Sequence, residues 1–171
     1  MSEDSPEHRE ADGVDRGAFR EAMSRLGASV HIITSAGPAG VCGITASAVC
    51  SVSDTPPTLL VCLNRQSAMN PIFKANGVFC INTLAADHQA LSEVFAGSTG
   101  LDMHQRMDAA QWRETASGAP ALTDALVSLD CRITEVNEVG THSVFFGEVL
   151  GLSFGVRRPA LVYLHRTYHS L

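Results

Sequence analysis

Between residues 40 and 63 the chain reads GVCGITASAVCSVSDTPPTLLVCL, and Asp54 is the only charge in it. A stretch so poor in charge and so rich in β-branched and small residues has to be laid into a sheet and largely covered. Read as one strand over 44–53, it sets Thr45, Ser47, Ser51 and Ser53 on one face, because side chains alternate with period two. Ile44, Ala46, Ala48, Cys50 and Val52 take the other face, which suits a core. The hydroxyl row faces either water or a polar ligand. Asp54-Thr55-Pro56-Pro57 then predicts a turn, and Thr58 to Leu63 a strand buried on both faces.

The rest of the chain follows the same style. Phe19, Met23 and Leu26 recur at helical spacing, predicting an amphipathic helix over 15–27 that Gly27 ends. Residues 29–35 read as a strand, and Gly37-Pro38-Ala39-Gly40 turns it into the hydroxyl-rich one, as a hairpin. A short helix is expected over 67–75, a buried strand over 78–84 and a second helix over 87–95, with Leu91, Val94 and Phe95 on its apolar side. The segment 100–120 has weak periodicity and reads as a loop with a helical turn. Three further strands fall at 126–136, 143–153 and 160–166. About seven strands with few intervening helices predict a mainly β fold with short helices, an antiparallel barrel rather than a parallel βαβ sheet. No dinucleotide-binding glycine fingerprint and no P-loop occurs.

At 171 residues the chain has the size of one domain, expected over 15–171, preceded by a polar tail over 1–14 that lacks the apolar core of a signal peptide. Net charge is −6 with no Lys/Arg cluster, which excludes nucleic acid and anionic membrane as main partners. Apolar residues make up 45% of the chain, enough to supply a subunit interface as well as a core. No stretch has transmembrane length. Cys42, Cys50, Cys62, Cys80 and Cys131 form no C-x-x-C pair; an odd count without a leader fits free, buried thiols in the cytoplasm. His165 and His169 diverge on an extended segment, and no set of residues has metal-ligand spacing, so no metal is expected.

Ordered motifs carry a resemblance over residues 19–171. Gly43-Ile44-Thr45-Ala46-Ser47, Ser51-Val52-Ser53, Asp54-Thr55-Pro56-Pro57 and Leu59-Leu60-Val61-Cys62-Leu63 come first. Asn64 to Pro71, Phe79 to Leu84, Phe95-Ala96-Gly97, Gly140-Thr141-His142 and Tyr163 to His169 follow. In these the chain resembles the flavin reductase family, and within it the reductase components of two-component flavin-dependent monooxygenases of the 4-hydroxyphenylacetate 3-monooxygenase type. The resemblance implies an FMN-binding split β-barrel, antiparallel and Greek-key-like, that forms a homodimer. It implies hydride transfer from NADH or NADPH to FMN or FAD, with reduced flavin passed to a separate oxygenase. A corrin reductase, a flavin reductase of pyrimidine degradation and a flavin-binding module without turnover share the scaffold.

The site residues that the resemblance implies fall into groups. Thr45, Ala46, Ser47 and Ser51 are the first flavin contacts, and Cys62, Leu63 and Asn64 the second. Ser67, opening a helix, suits the flavin phosphate, with Arg65 as a supporting charge or a plain loop residue; Met69 stands where the family often has threonine. Asn82, an amide in an apolar strand, needs a partner, either the flavin or a loop carbonyl. Phe95 and Gly97, from the Phe95-Ala96-Gly97 motif, are further cofactor contacts. His142, beside the nicotinamide, is the catalytic candidate, and Arg166 and Tyr168 close the slot. Hydride transfer needs orientation and a dry slot more than an acid–base pair, in keeping with a chain without a triad or carboxylate dyad.

Overall fold

The computed structural model describes residues 14–171, so the tail expected over 1–14 lies, apart from Val14, outside them. Asp15 caps the first helix, α1 (Arg16–Ser24), by accepting from the Ala18 N–H at 2.7 Å. The strands β1 (Ala28–Ser29), β2 (His31–Ser35), β3 (Cys42–Ala46), β4 (Val49–Asp54) and β5 (Pro57–Asn64) follow. Next come α2 (Asn70–Asn76), β6 (Val78–Thr83), a 3₁₀ turn over Ala86–His88 and α3 (Gln89–Ala96). The segment 100–120, expected as a loop with a helical turn, contains α4 (Met103–Asp108) and β7 (Trp112–Glu114), and its end leads into β8 (Pro120–Leu122). A long hairpin, β9 (Val127–Val139) and β10 (His142–Phe154), precedes a C-terminal hairpin of β11 (Leu161–Leu164) and β12 (Thr167–Ser170).

Seven strands form one antiparallel sheet in the order β3-β2-β6-β9-β10-β5-β4. Its two end strands, β3 and β4, are consecutive in the chain and separated only by Ser47 and Ala48. The sheet therefore curls until its edges meet, and the Cys62 N–H donates to the Ala48 carbonyl at the joint. Ile33, Val61, Leu63, Phe79, Ile81, Cys131 and Phe145 fill the interior. A second core lies outside the barrel, where Ile32, Leu84, Phe95, Leu122 and Leu161 pack beneath α3, β8 and the C-terminal hairpin.

This joint corrects the one-strand reading of 44–53. Ala46 and Val49 both pack against the interior although they are three positions apart, so the alternation changes phase at Ser47–Ala48. Thr45, paired with Ile32, stands on the outer side, whereas Ser51 pairs with the inward Leu59. A bulge between Ser51 and Ser53 shifts the phase again. The hydroxyls thus do not form one row.

Two glycines are set by close approach. A Cβ on Gly147 would overlap the Phe79 ring in the barrel interior, and one on Gly43 would lie 2.7 Å from Phe95 Cε1 outside it. In contrast, Phe19 and Met23 of α1, which ends at Ser24 rather than at Gly27, stay exposed together with Leu26 just beyond it, as do Leu150, Leu152 and Phe154 on β10. Cys42, Cys80 and Cys131 are buried as expected, while Cys50 faces solvent. Burial pushes the Cys42 and Cys80 thiols up to about 12, so neither is a nucleophile at neutral pH.

His31, on β2, is 9% exposed, with Nδ1 3.1 Å from Thr83 Oγ1. Burial lowers its pKa from 6.5 to about 4. The unfolded chain takes up this proton below pH 6.5 and the folded chain not until about 4, so stability falls through that window as pH drops. Urea unfolding at pH 7 and pH 4.5 should show that His31→Gln removes about 2–3 kcal/mol of the wild-type loss. Gly147→Ala should lower the urea midpoint at pH 7 by the equivalent of about 1–3 kcal/mol, since Phe79 has to move.

Candidate active site

One rim of the barrel gathers residues that are distant in sequence. The β5–β10 ladder sets Asn64 opposite His142 and Cys62 opposite Val144. Through the Cys62–Ala48 hydrogen bond, Ala46, Ser47 and Ala48 lie beside the same strand end. The small residues Ser47 and Ala48 are exposed and Ala46 half-buried on one side, while Asn64, Gln66 and His142 are exposed on the other. This donor set fits a flat hydrogen-bonding ring such as a flavin. Thr141 Oγ1 lies 2.9 Å from His142 Nδ1 and so holds the exposed ring by that nitrogen.

A polar network ties the rim together. The Arg65 N–H donates to the Thr141 carbonyl at 2.9 Å, extending the ladder past the Gly140 turn, where φ is +54°. Arg65 Nη1 donates to the Gly140 carbonyl at 3.2 Å, and its Nε is 2.9 Å from Glu138 Oε2. Glu138 Oε1 accepts from Lys74 Nζ at 2.5 Å, and Ser143 Oγ donates to Glu138 at 2.9 Å. Lys74, Ser143 and Arg65 hold the Glu138 carboxyl below its ordinary range. Beneath them, the buried Asn70 side chain donates to the Leu63 carbonyl and to Ser143 Oγ. Asn70 lies in the Asn64 to Pro71 motif, whereas Glu138, Lys74 and Ser143 carry no motif signal; their one sequence cue is position, beside the Gly140-Thr141-His142 turn and the loop after β5.

The other expected residues lie apart from the rim or turn their side chains from it. Asn82 is fully buried: Oδ1 accepts from the Leu122 N–H at 2.7 Å and Ser128 Oγ at 2.9 Å, and Nδ2 donates to the Ile32 carbonyl at 3.1 Å. Its partners are internal, which corrects the flavin contact. Thr45 Oγ1 donates to the Ser92 carbonyl of α3 at 2.7 Å, and Ser92 Oγ meets Tyr168 Oη at 2.8 Å. Thr45, Phe95 and Tyr168 thus dock α3 on β3, with the Phe95 ring over Gly43.

Leu63 is core, and Gly97 ends α3 with φ +86°. Arg166 sits on the turn of the β11–β12 hairpin, 3.0 Å from Glu21. Ser67 does not open α2, which starts at Asn70; its hydroxyl accepts from the Met69 N–H at 3.3 Å. Ser51 is exposed on β4, below the joint.

A cleft of about 480 Å³ lies elsewhere, between α3 and the Thr123–Asp124 loop. There His88 Nδ1 accepts from the Ala85 N–H, so Nε2 carries its proton toward Asp124 Oδ2 at 3.0 Å, and Arg158 joins Asp87 to Asp124. These groups satisfy one another and clasp three loops together. None of the expected site residues lines the cleft.

Comparison with known proteins decides the family. The model of the flavin reductase like domain matches residues 23–171. The chain belongs to that family. Among its relatives is the FMN reductase (NADH) RutF of Pantoea ananatis, 51% identical over 98% of this chain and 87% of the relative. Another is the reductase component of 4-hydroxyphenylacetate 3-monooxygenase of Pseudomonas aeruginosa, 50% identical over 90% of this chain and 91% of the relative. A crystal structure from Haemophilus somnus 129pt superposes with a TM-score of 0.88 at 42% identity, covering 92% of this chain and all of that one.

Asn82→Ala tests the internal assignment of this amide. It should cost about 2–4 kcal/mol of stability by leaving buried donors and acceptors unpaired, while flavin affinity of the folded fraction stays within twofold. Denaturant unfolding and flavin fluorescence titration measure the two effects.

Proposed function

We propose that this protein is an NADH-dependent flavin reductase that binds FMN along the rim formed by residues 46–48, 62–67 and 142. The observation that carries this reading is the register of Asn64 against His142, which joins the family's flavin segment and its nicotinamide histidine in one place. When bound, the flavin supplies the hydride acceptor. The protein binds and orients both partners. Open backbone at Ala46–Ala48 offers hydrogen bonds to a ring, and Asn64 and Ser67 stand where its side chain would run. His142, held through Nδ1 by Thr141, presents Nε2 to the nicotinamide dinucleotide. Arg65 and Lys74, the cations nearest this histidine in the network, are both engaged by Glu138, which supports NADH over a donor with an extra phosphate.

Delivery of reduced flavin to a separate oxygenase is supported by the relative that is a monooxygenase reductase component. A homodimer is supported by two exposed apolar faces, Phe19 and Met23 on α1 with Leu26 just after it, and Leu150, Leu152 and Phe154 on β10; Phe154 is 81% exposed. A cytoplasmic setting is supported by five free cysteines. No helix among the described residues is long and apolar enough to cross a membrane.

Loss of nicotinamide absorbance with NADH and added FMN or FAD tests the activity directly; no turnover with either flavin, and with NADPH also tried, would falsify it. His142→Ala should raise the apparent KM for NADH about tenfold, the worth of one charge-assisted hydrogen bond, and leave FMN affinity within twofold. Sedimentation velocity should find a dimer for the wild type and a monomer for Phe154→Glu.

A further inference from the structure

Arg65 is two residues from Ser67, on the loop that the preceding reading gives to the flavin side chain and its phosphate. An arginine there is suited to a bidentate grip on phosphate oxygens. Yet its guanidinium is already committed, Nε to Glu138 at 2.9 Å and Nη1 to the Gly140 carbonyl at 3.2 Å. Glu138 is equally committed, accepting from Arg65, Lys74 and the buried Ser143 hydroxyl at once. Ser143 is fixed in turn by Asn70 at 3.0 Å, so the carboxylate is anchored from below and cannot swing away with the arginine. A phosphate reaching Arg65 has to compete with this carboxylate, and a like charge stands 2.9 Å behind the donor it seeks.

We propose that Glu138 is a specificity-determining positioning residue: it withholds Arg65 from the phosphate of bound flavin, weakening the discrimination between FMN and its dephosphorylated form. The inference rests on the flavin reductase reading. Its physical consequence is that the loop is held in shape by a pair whose partner never leaves, while the phosphate contributes little to affinity. A flavin held in this way is released readily, as a diffusing product has to be.

FMN and riboflavin differ only in the phosphate, so the ratio of their affinities, read by flavin fluorescence quenching on the full chain, isolates the effect from any general loosening of the rim. Glu138→Gln should raise the FMN-to-riboflavin affinity ratio about fivefold at low salt, and the rise should shrink as ionic strength passes about 0.15 M. The double variant Glu138→Gln/Arg65→Gln should return the ratio to the wild-type value. Arg65→Gln alone should change it by less than twofold; a loss of about tenfold there means that Arg65 already grips the phosphate and overturns the proposal, even where Glu138→Gln does not fold. An unaltered ratio in a Glu138→Gln protein that still reduces flavin overturns this inference alone. A wild-type protein that neither binds nor reduces flavin overturns the preceding reading and this inference with it.

Discussion

Two residues, Ser47 and Ala48, join the first and last strands of a seven-stranded sheet, and that joint dictates most of what the molecule does. Edges that lie so close in the chain can only meet if the sheet rolls up. The Cys62 N–H to Ala48 carbonyl bond carries the β4–β5 ladder up to that joint. Closure then sets the interior: Phe79 and Phe145 have to fit a narrow barrel, and Gly147 is required because the Phe79 ring occupies the volume that a side chain would take. Closure also brings backbone with small side chains, from Ala46 to Ala48, to the rim where β5 ends and β10 begins.

At that rim the protein spends polar groups in two different ways. Outside β3, Thr45, Ser92 and Tyr168 form a chain of hydrogen bonds that fixes α3 to the barrel. Beside His142, Asn70, Ser143, Glu138, Arg65 and Lys74 form another that joins the β9–β10 turn to the loop after β5. Exposed ion pairs contribute little stability singly, but here one carboxylate collects two cations and a buried hydroxyl, so the network acts by fixing geometry. Ser47, Asn64 and His142 stay exposed beside these networks.

Much of this was readable from residue order. The β2–β3 hairpin, the Asp54 to Pro57 turn, the buried runs of β5 and β6 and the long strands near 126–153 all follow from patterning and turn chemistry. Where the reading failed, the reason is long-range. Period-two alternation cannot reveal the change of phase between Ala46 and Val49, so Thr45 and Ser51 were set on one face and the structure sets them on two. Asn82 needed a partner, as its chemistry required, but which partner depended on β8 passing over β6. The hairpin β11–β12 was read as a single strand because its turn, His165-Arg166, takes positive φ without glycine. The amphipathic stripe of α1 is present but stays exposed among the described residues.

The sequence alone thus determined the class of fold, the family and the two motifs, around residues 45–67 and at 140–142, from which a flavin and nicotinamide site could be expected. Those depend on local chemistry: side-chain shape, turn preference and the order of motifs along the chain. Only the tertiary structure decided which of the expected residues stand together. Strand register is a pairing between residues such as Asn64 and His142, far apart in the chain, and no local pattern encodes it. It placed Ser47, Cys62, Asn64 and His142 on one rim, sent Thr45, Phe95, Tyr168 and Asn82 to structural work, and brought Glu138 against Arg65, a contact that no motif announced.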